Sequence, residues 1–232
     1  PLVASELNGR LETLRAWGDQ AATAVQRRIP ERPVRVNRTV PKVTPPNLTV
    51  AFGDRPSTES LARSRVLPTA LVPVGADPSA AENAALARAL ESYAHGTDLA
   101  TRFVGIESYL RESANSPWRP AVAASLGALL AKSGYFTRAA GYWTDAWETS
   151  KNAPTPRERA VGEAAMAELL TQYVTFGNTP ALERILSELE GRPIGGSAGS
   201  KIEAAREGLA LLTYHHETAT FSGTVALIAL MD

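Results

Sequence analysis

Residues 115–147, NSPWRPAVAASLGALLAKSGYFTRAAGYWTDAW, decide the fold. Small and aromatic residues recur there at the intervals that two antiparallel helices need when they pack face to face. Leu126-Gly127 lets the first helix approach its partner closely. Gly134 ends that helix, and Phe136, Ala139, Trp143 and Ala146 line one face of the second. The stretch therefore reads as a helical hairpin.

Working outward, the spacing closely resembles one tetratricopeptide (TPR) unit, with Leu-Gly early, an aromatic after the turn, then Ala, an aromatic and Ala. Composition agrees with helix: alanine and leucine are abundant and aromatics make up 6% of 232 residues. The 24 basic and 24 acidic residues are mixed along the chain, so net charge is zero. No broad positive field exists to attract phosphate backbones, and nucleic acid is not expected as a partner. Without cysteine there is no disulfide, thiolate metal site or cysteine nucleophile. No stretch approaches the roughly 18 apolar residues of a membrane span.

Four segments follow. Leu7, Leu11, Leu14, Gly18, Ala21 and Val25 form a seam that predicts an amphipathic helix within 1–29. It is expected to lie on the body of the protein, with self-association through residues 3–28 as the alternative. In 30–76, prolines 30, 33, 41, 45, 46, 56, 68 and 73 exclude a continuous helix. That tract predicts an extended arm docking on a partner, anchored by Leu48, Val50, Phe52, Leu67, Leu71 and Val72. Segment 77–219 is the helical domain, and 220–232 opens a further lobe.

Asp77-Pro78, Ser116-Pro117, Thr155-Pro156 and Thr179-Pro180 each place a capping side chain before a proline. Thr155 with Glu158, and Ser200 with Glu203, have the spacing of capping boxes. Gly96, Gly134, Gly177 and Gly191 supply stops. The expected helices cover 78–95, 98–113, 117–133, 136–150, 156–176, 180–190, 200–216 and 223–231. Short connections make neighbours antiparallel, so the fold class is all-α, a solenoid of antiparallel helical hairpins. It is degenerate, because only 117–150 fits the repeat well.

Candidate chemistry is sparse. The glycine-rich stretch 191–201 lacks the Gly-Lys-Ser/Thr order of a phosphate loop and reads as a connection between helices. His215 and His216 are adjacent, so they diverge by roughly 100° on a helix rather than sharing a metal-binding face, and His95 is distant. No cofactor or metal is expected. Trp118, Tyr135, Tyr142, Trp143 and Trp147 have the spacing of a helix-pair core, and Glu188 and Glu190 read as a solvated face. Ser222 precedes an apolar run, where either an N-cap or a nucleophile at a helix start fits.

A second resemblance comes from short motifs in series: Ser116-Pro-Trp-Arg-Pro-Ala121, Gly134-Tyr-Phe-x-x-Ala139, Ala146-Trp147, Arg159-Ala-Val-Gly-Glu163, Gly191-Arg-Pro193 and Ala205-Arg-Glu-Gly-Leu209. Over residues 85–232 the chain resembles a helical region near the amino terminus of large bacterial secreted proteins of the Rhs/YD-repeat type. There, that region leads into a papain-like cysteine peptidase domain related to bacteriocin-processing peptidases, opening with Cys-Gly-Pro-x-Ala-Leu. The equivalent string here is Ser222-Gly223-Thr224-Val225-Ala226-Leu227. With Ser222 in the cysteine's place and Thr224 in the proline's, the cysteine-peptidase mechanism is lost.

The resemblance implies a non-enzymatic scaffold, secreted or at the bacterial cell surface, whose protein partner is the rest of the same polypeptide or its shell. Two alternatives stay open at this point. One is a fragment of an inactive papain-like lobe with Ser222 at the nucleophile position. The other is a free-standing TPR adaptor that grips a peptide.

Overall fold

The structure, a computed structural model, describes residues 12–20 and 50–214. The chain divides into Pro1–Asn47 and Leu48–Asp232. In the first unit, residues 12–20 are helical (α1), and Leu14 and Trp17 are exposed. The other seam positions, Leu7, Leu11, Ala21 and Val25, lie outside the described residues, as do 30–47 and 215–232.

In the second unit every described regular element is a helix: α2 (Thr58–Arg63), α3 (Ala80–His95), α4 (Leu99–Arg102), α5 (Val104–Glu112), α6 (Arg119–Lys132), α7 (Phe136–Ser150), α8 (Pro156–Thr175), α9 (Thr179–Glu188) and α10 (Gly196–Tyr214). Capping chemistry sets most of the starts. Thr155 caps α8, with the Glu158 carboxylate returning to the Thr155 N–H. At α3 the cap is Ser79 with Glu82, which corrects the expected Asp77. Hydrogen bonds to Ser79 hold the Glu82 carboxyl below its ordinary range. At α9 the cap is Asn178 rather than Thr179, because Pro180 falls in the first helical turn either way.

The Ser116-Pro117 start is also corrected. Helix α6 begins two residues later, after Trp118, with no side-chain cap. Ser116 is occupied elsewhere: its hydroxyl pairs with that of Tyr109 at 2.9 Å and accepts from the Trp118 N–H. Burial pushes the Tyr109 hydroxyl up to about 12. Nor do Ser200 and Glu203 cap α10, which starts at Gly196 while the Ser200 hydroxyl donates back to the Gly196 carbonyl. Half-buried Ile194 and Ala198 pack on the core and hold that early start in place.

Two of the expected stops share one device. At Gly134, φ is +84°, the Tyr135 N–H reaches the Leu130 carbonyl and the Gly134 N–H reaches that of Ala131. At Gly177, φ is +64° and Asn178 and Gly177 bond back to Tyr173 and Val174 in the same way. Both are Schellman closures, which need the left-handed conformation. Gly134→Ala is expected to lower unfolding free energy by about 1 kcal/mol. A chemical-denaturation midpoint equal to wild type would contradict that. Gly96 ends α3 differently, with φ of −62°.

The helix expected over 98–113 is broken at Phe103 into α4 and α5. Phe103 is buried, stacked 6.2 Å from Tyr93. Gly105 brings α5 onto α3: a Cβ there would come within 2.8 Å of Ser92 Oγ. The same device recurs along the body. Gly127 of α6 lies against Trp143 of α7, Gly162 of α8 against Trp147 of α7, and Gly208 of α10 against Val174 of α8. Each crossing is close because one helix lacks a side chain there.

The proline-rich arm needs the largest correction. From residue 50 on it is packed into the helical body and is not a free extended arm. Leu61, Leu67 and Leu71 are core residues, the Phe52 N–H donates to Glu91, and the Val74 N–H donates to the Pro117 carbonyl at 2.8 Å. Leucines spaced between prolines are well suited to this, since extended chain can lay alternate side chains into a helical layer.

Candidate interaction groove

Most of the residues that carried the repeat reading are buried in α6 and α7. Leu126, Ala139 and Ala146 are fully buried, and Trp143 is 4% exposed. A Cβ at Gly127 would stand 2.6 Å from both Cδ1 and Nε1 of Trp143, so the indole lies directly across α6. Phe136 is the exception. It is 42% exposed and does not line the α6–α7 core. Its ring instead meets Phe176 edge-on at 4.9 Å, and its carbonyl accepts from Gln172 of α8. Being the first residue of α7, it reaches the end of the next helix, α8.

Three tryptophans organise the body. Trp118 is fully buried, and its indole N–H donates to Asn83, whose amide reaches Thr58. Trp147 donates to Glu188 at 2.9 Å and lies beneath the Arg192 guanidinium at 5.0 Å. Glu188 also pairs with Lys151 at 3.0 Å. Far from being a merely solvated face, Glu188 ties α9 to α7. By contrast, the indole N–H of Trp143 has no acceptor among the described residues.

The Trp147 bond, and then the Lys151 bond, hold the Glu188 carboxyl below its usual 4.5. A carboxyl depressed in the folded state adds stability that is full above the unfolded value and is lost as pH falls through the lower folded one. Glu188→Gln keeps an acceptor for Trp147 but removes the charge. It is expected to cost less than about 1 kcal/mol at neutral pH, because solvent screens the 31% exposed side chain. The difference from wild type should vanish well below pH 4.5; a gap that persists in acid would show that the charge is not its origin.

Trp143 floors a cavity of about 420 Å³ between α6, α8 and the segment 69–72. Ala124 and Ala128 of α6 form one wall, and Ala160, Val161, Ala164 and Ala165 of α8 form the other. Thr69, Ala70 and Val72 close one side, with the Thr69 hydroxyl bonded to that of buried Ser125. Arg157 and Glu168 stand at the rim. Glu168 pairs with Lys201, whereas Arg157 has no hydrogen bond or ion pair among the described residues. The lining is apolar apart from Thr69 and the two rim charges.

Sequence reasoning missed this wall of α8. The signal available was small or apolar residues at 160, 161, 164 and 165 behind a lone arginine at 157, all on one helical stripe. A smaller depression beside Pro156 holds Arg159, Glu163 and Arg192. Burial pushes the Glu163 carboxyl up there, and both arginines pull it back. Ser222, His215 and His216 lie outside the described residues. His95 caps its own helix, bonded to the Glu91 carbonyl.

No family model, curated protein or solved structure matches this sequence. Among the described residues, no helix is long and apolar enough to cross a membrane.

Proposed function

We propose that the chain is a non-enzymatic protein-interaction module: a degenerate, TPR-like stack of antiparallel hairpins that holds other protein. In this reading it is the amino-terminal part of a large secreted YD-repeat protein of toxin type, and helps to seal, anchor or deliver that protein's shell. The observation that carries it is the apolar groove between α6 and α8, open beside Trp143 and lined by small side chains. Antiparallel pairing is supported by two sets of contacts. The end of α7 meets the start of α8 at Gly162, and the start of α7 meets the end of α8 at Gln172 and Phe176. Membership of the larger protein is supported by the motif series from Ser116 to Leu209.

The test is cross-linking with mass spectrometry on the parent polypeptide purified from its native source. Cross-links from Lys132 or Lys201 into a β-rich YD-repeat region are expected. A native product without that region, or one whose cross-links stay within this chain, would overturn the reading.

A further inference from the structure

The segment 70–72 has the alternation of extended chain. Ala70 and Val72 line the groove, while Leu71 between them is 4% exposed and packed in the core. Among the described residues, the N–H and C=O groups of Ala70, Leu71 and Val72 have no hydrogen-bond partner. A free backbone edge beside an apolar channel is the arrangement in which an added strand gains main-chain bonds and side-chain burial together.

Two further groups lack partners at the same place. Trp143, otherwise buried, keeps its indole N–H without an acceptor, although the other two core tryptophans are satisfied. Arg157 lies in the first turn of a 20-residue helix, where the helix dipole disfavours a cation and favours an anion. Arg157 and Glu168 are eleven positions apart on α8, about 16 Å along the axis, which is the length of about five extended residues.

We propose that the groove binds an extended peptide laid beside Ala70–Val72, apolar at alternate residues, with a carboxylate at the end that meets Arg157. Its backbone pairs with the free edge and one of its carbonyls accepts from Trp143. Its small or branched side chains fill the alanine-lined channel. A bound helix would leave the 70–72 edge unpaired, which is why a strand is the occupant. This deepens the interaction-module reading and rests on it.

The experiment is selection of random linear dodecapeptides displayed on phage against the intact 232-residue chain. Affinities of the selected peptides are then measured in solution by fluorescence anisotropy. Peptides with alternating apolar residues and an acidic end are expected. Their binding should fall at least about tenfold on Ala164→Trp, which fills the channel, and about fivefold or more on Arg157→Glu or Trp143→Phe. Ala164 and Arg157 are exposed, so those two variants test binding without burdening the fold. No enrichment, enrichment of helically spaced motifs, or equal binding to the Ala164→Trp and Arg157→Glu variants would overturn the proposal. If the cross-links to a YD-repeat region persist in the Ala164→Trp parent, the module reading survives without the groove.

Discussion

Trp118→Ala is expected to lower unfolding free energy by about 3–5 kcal/mol, the range for a large aromatic truncated in a packed core. The indole is fully buried, at the point where α6 starts and α3 passes. Truncation removes the ring, leaves a void and strands the Asn83 carbonyl, itself buried, without its donor. Asn83 would then hold only Thr58 at the start of α2, so the loss extends to the segment leading into the groove. Trp118→Phe separates the two contributions, since it keeps most of the ring and removes the N–H. A loss of about 1–3 kcal/mol is expected for it. Urea unfolding followed by circular dichroism is the measurement, because it does not depend on the indole fluorescence being altered. Equal, small losses for both variants would show that Trp118 does not organise this junction.

The second large effect comes from a matched pair of glycines. Gly127 and Gly141 both lie inside helices, where alanine ordinarily gains about 1 kcal/mol over glycine. At Gly141 an added Cβ meets nothing within 4 Å, so Gly141→Ala should stabilise by nearly that amount. At Gly127 the new methyl would press into the Trp143 ring, forcing α6 and α7 apart or the indole out of its rotamer. Gly127→Ala is expected to destabilise by about 1–3 kcal/mol despite the better helix former. Combining it with Trp143→Phe should recover part of the loss, because the smaller ring leaves room. Stabilisation by both single variants would mean that the crossing is not close.

Local chemistry made much of this architecture legible. Helix α7 spans the expected 136–150 because Gly134 stops the preceding helix and the turn leaves no other start. Thr155 and Glu158 fixed α8 in the same way. Where two candidate caps stood close together, as Asp77 and Ser79 do, the outcome depended on which one had a glutamate three residues on. Long-range packing was not legible. Prolines in 50–74 spoke against helix but could not say that Leu67 and Leu71 would be buried in the core, or that Val74 would bond to Pro117. The groove was hidden for the same reason, since its walls come from residues near 70, 126 and 162. Phe136 matched a motif position yet turned outward, because the partner it found was Phe176 in the following helix.

The crossing glycines carry a consequence for how the chain is made. They join α3 to α5, α6 to α7, α7 to α8 and α8 to α10, so nearly all close approaches link helices adjacent or next but one in sequence. Such a chain closes few long loops before its contacts reward it, which favours rapid folding. On the ribosome each of these helices meets a neighbouring helix soon after emerging, so the stack can consolidate in order of synthesis.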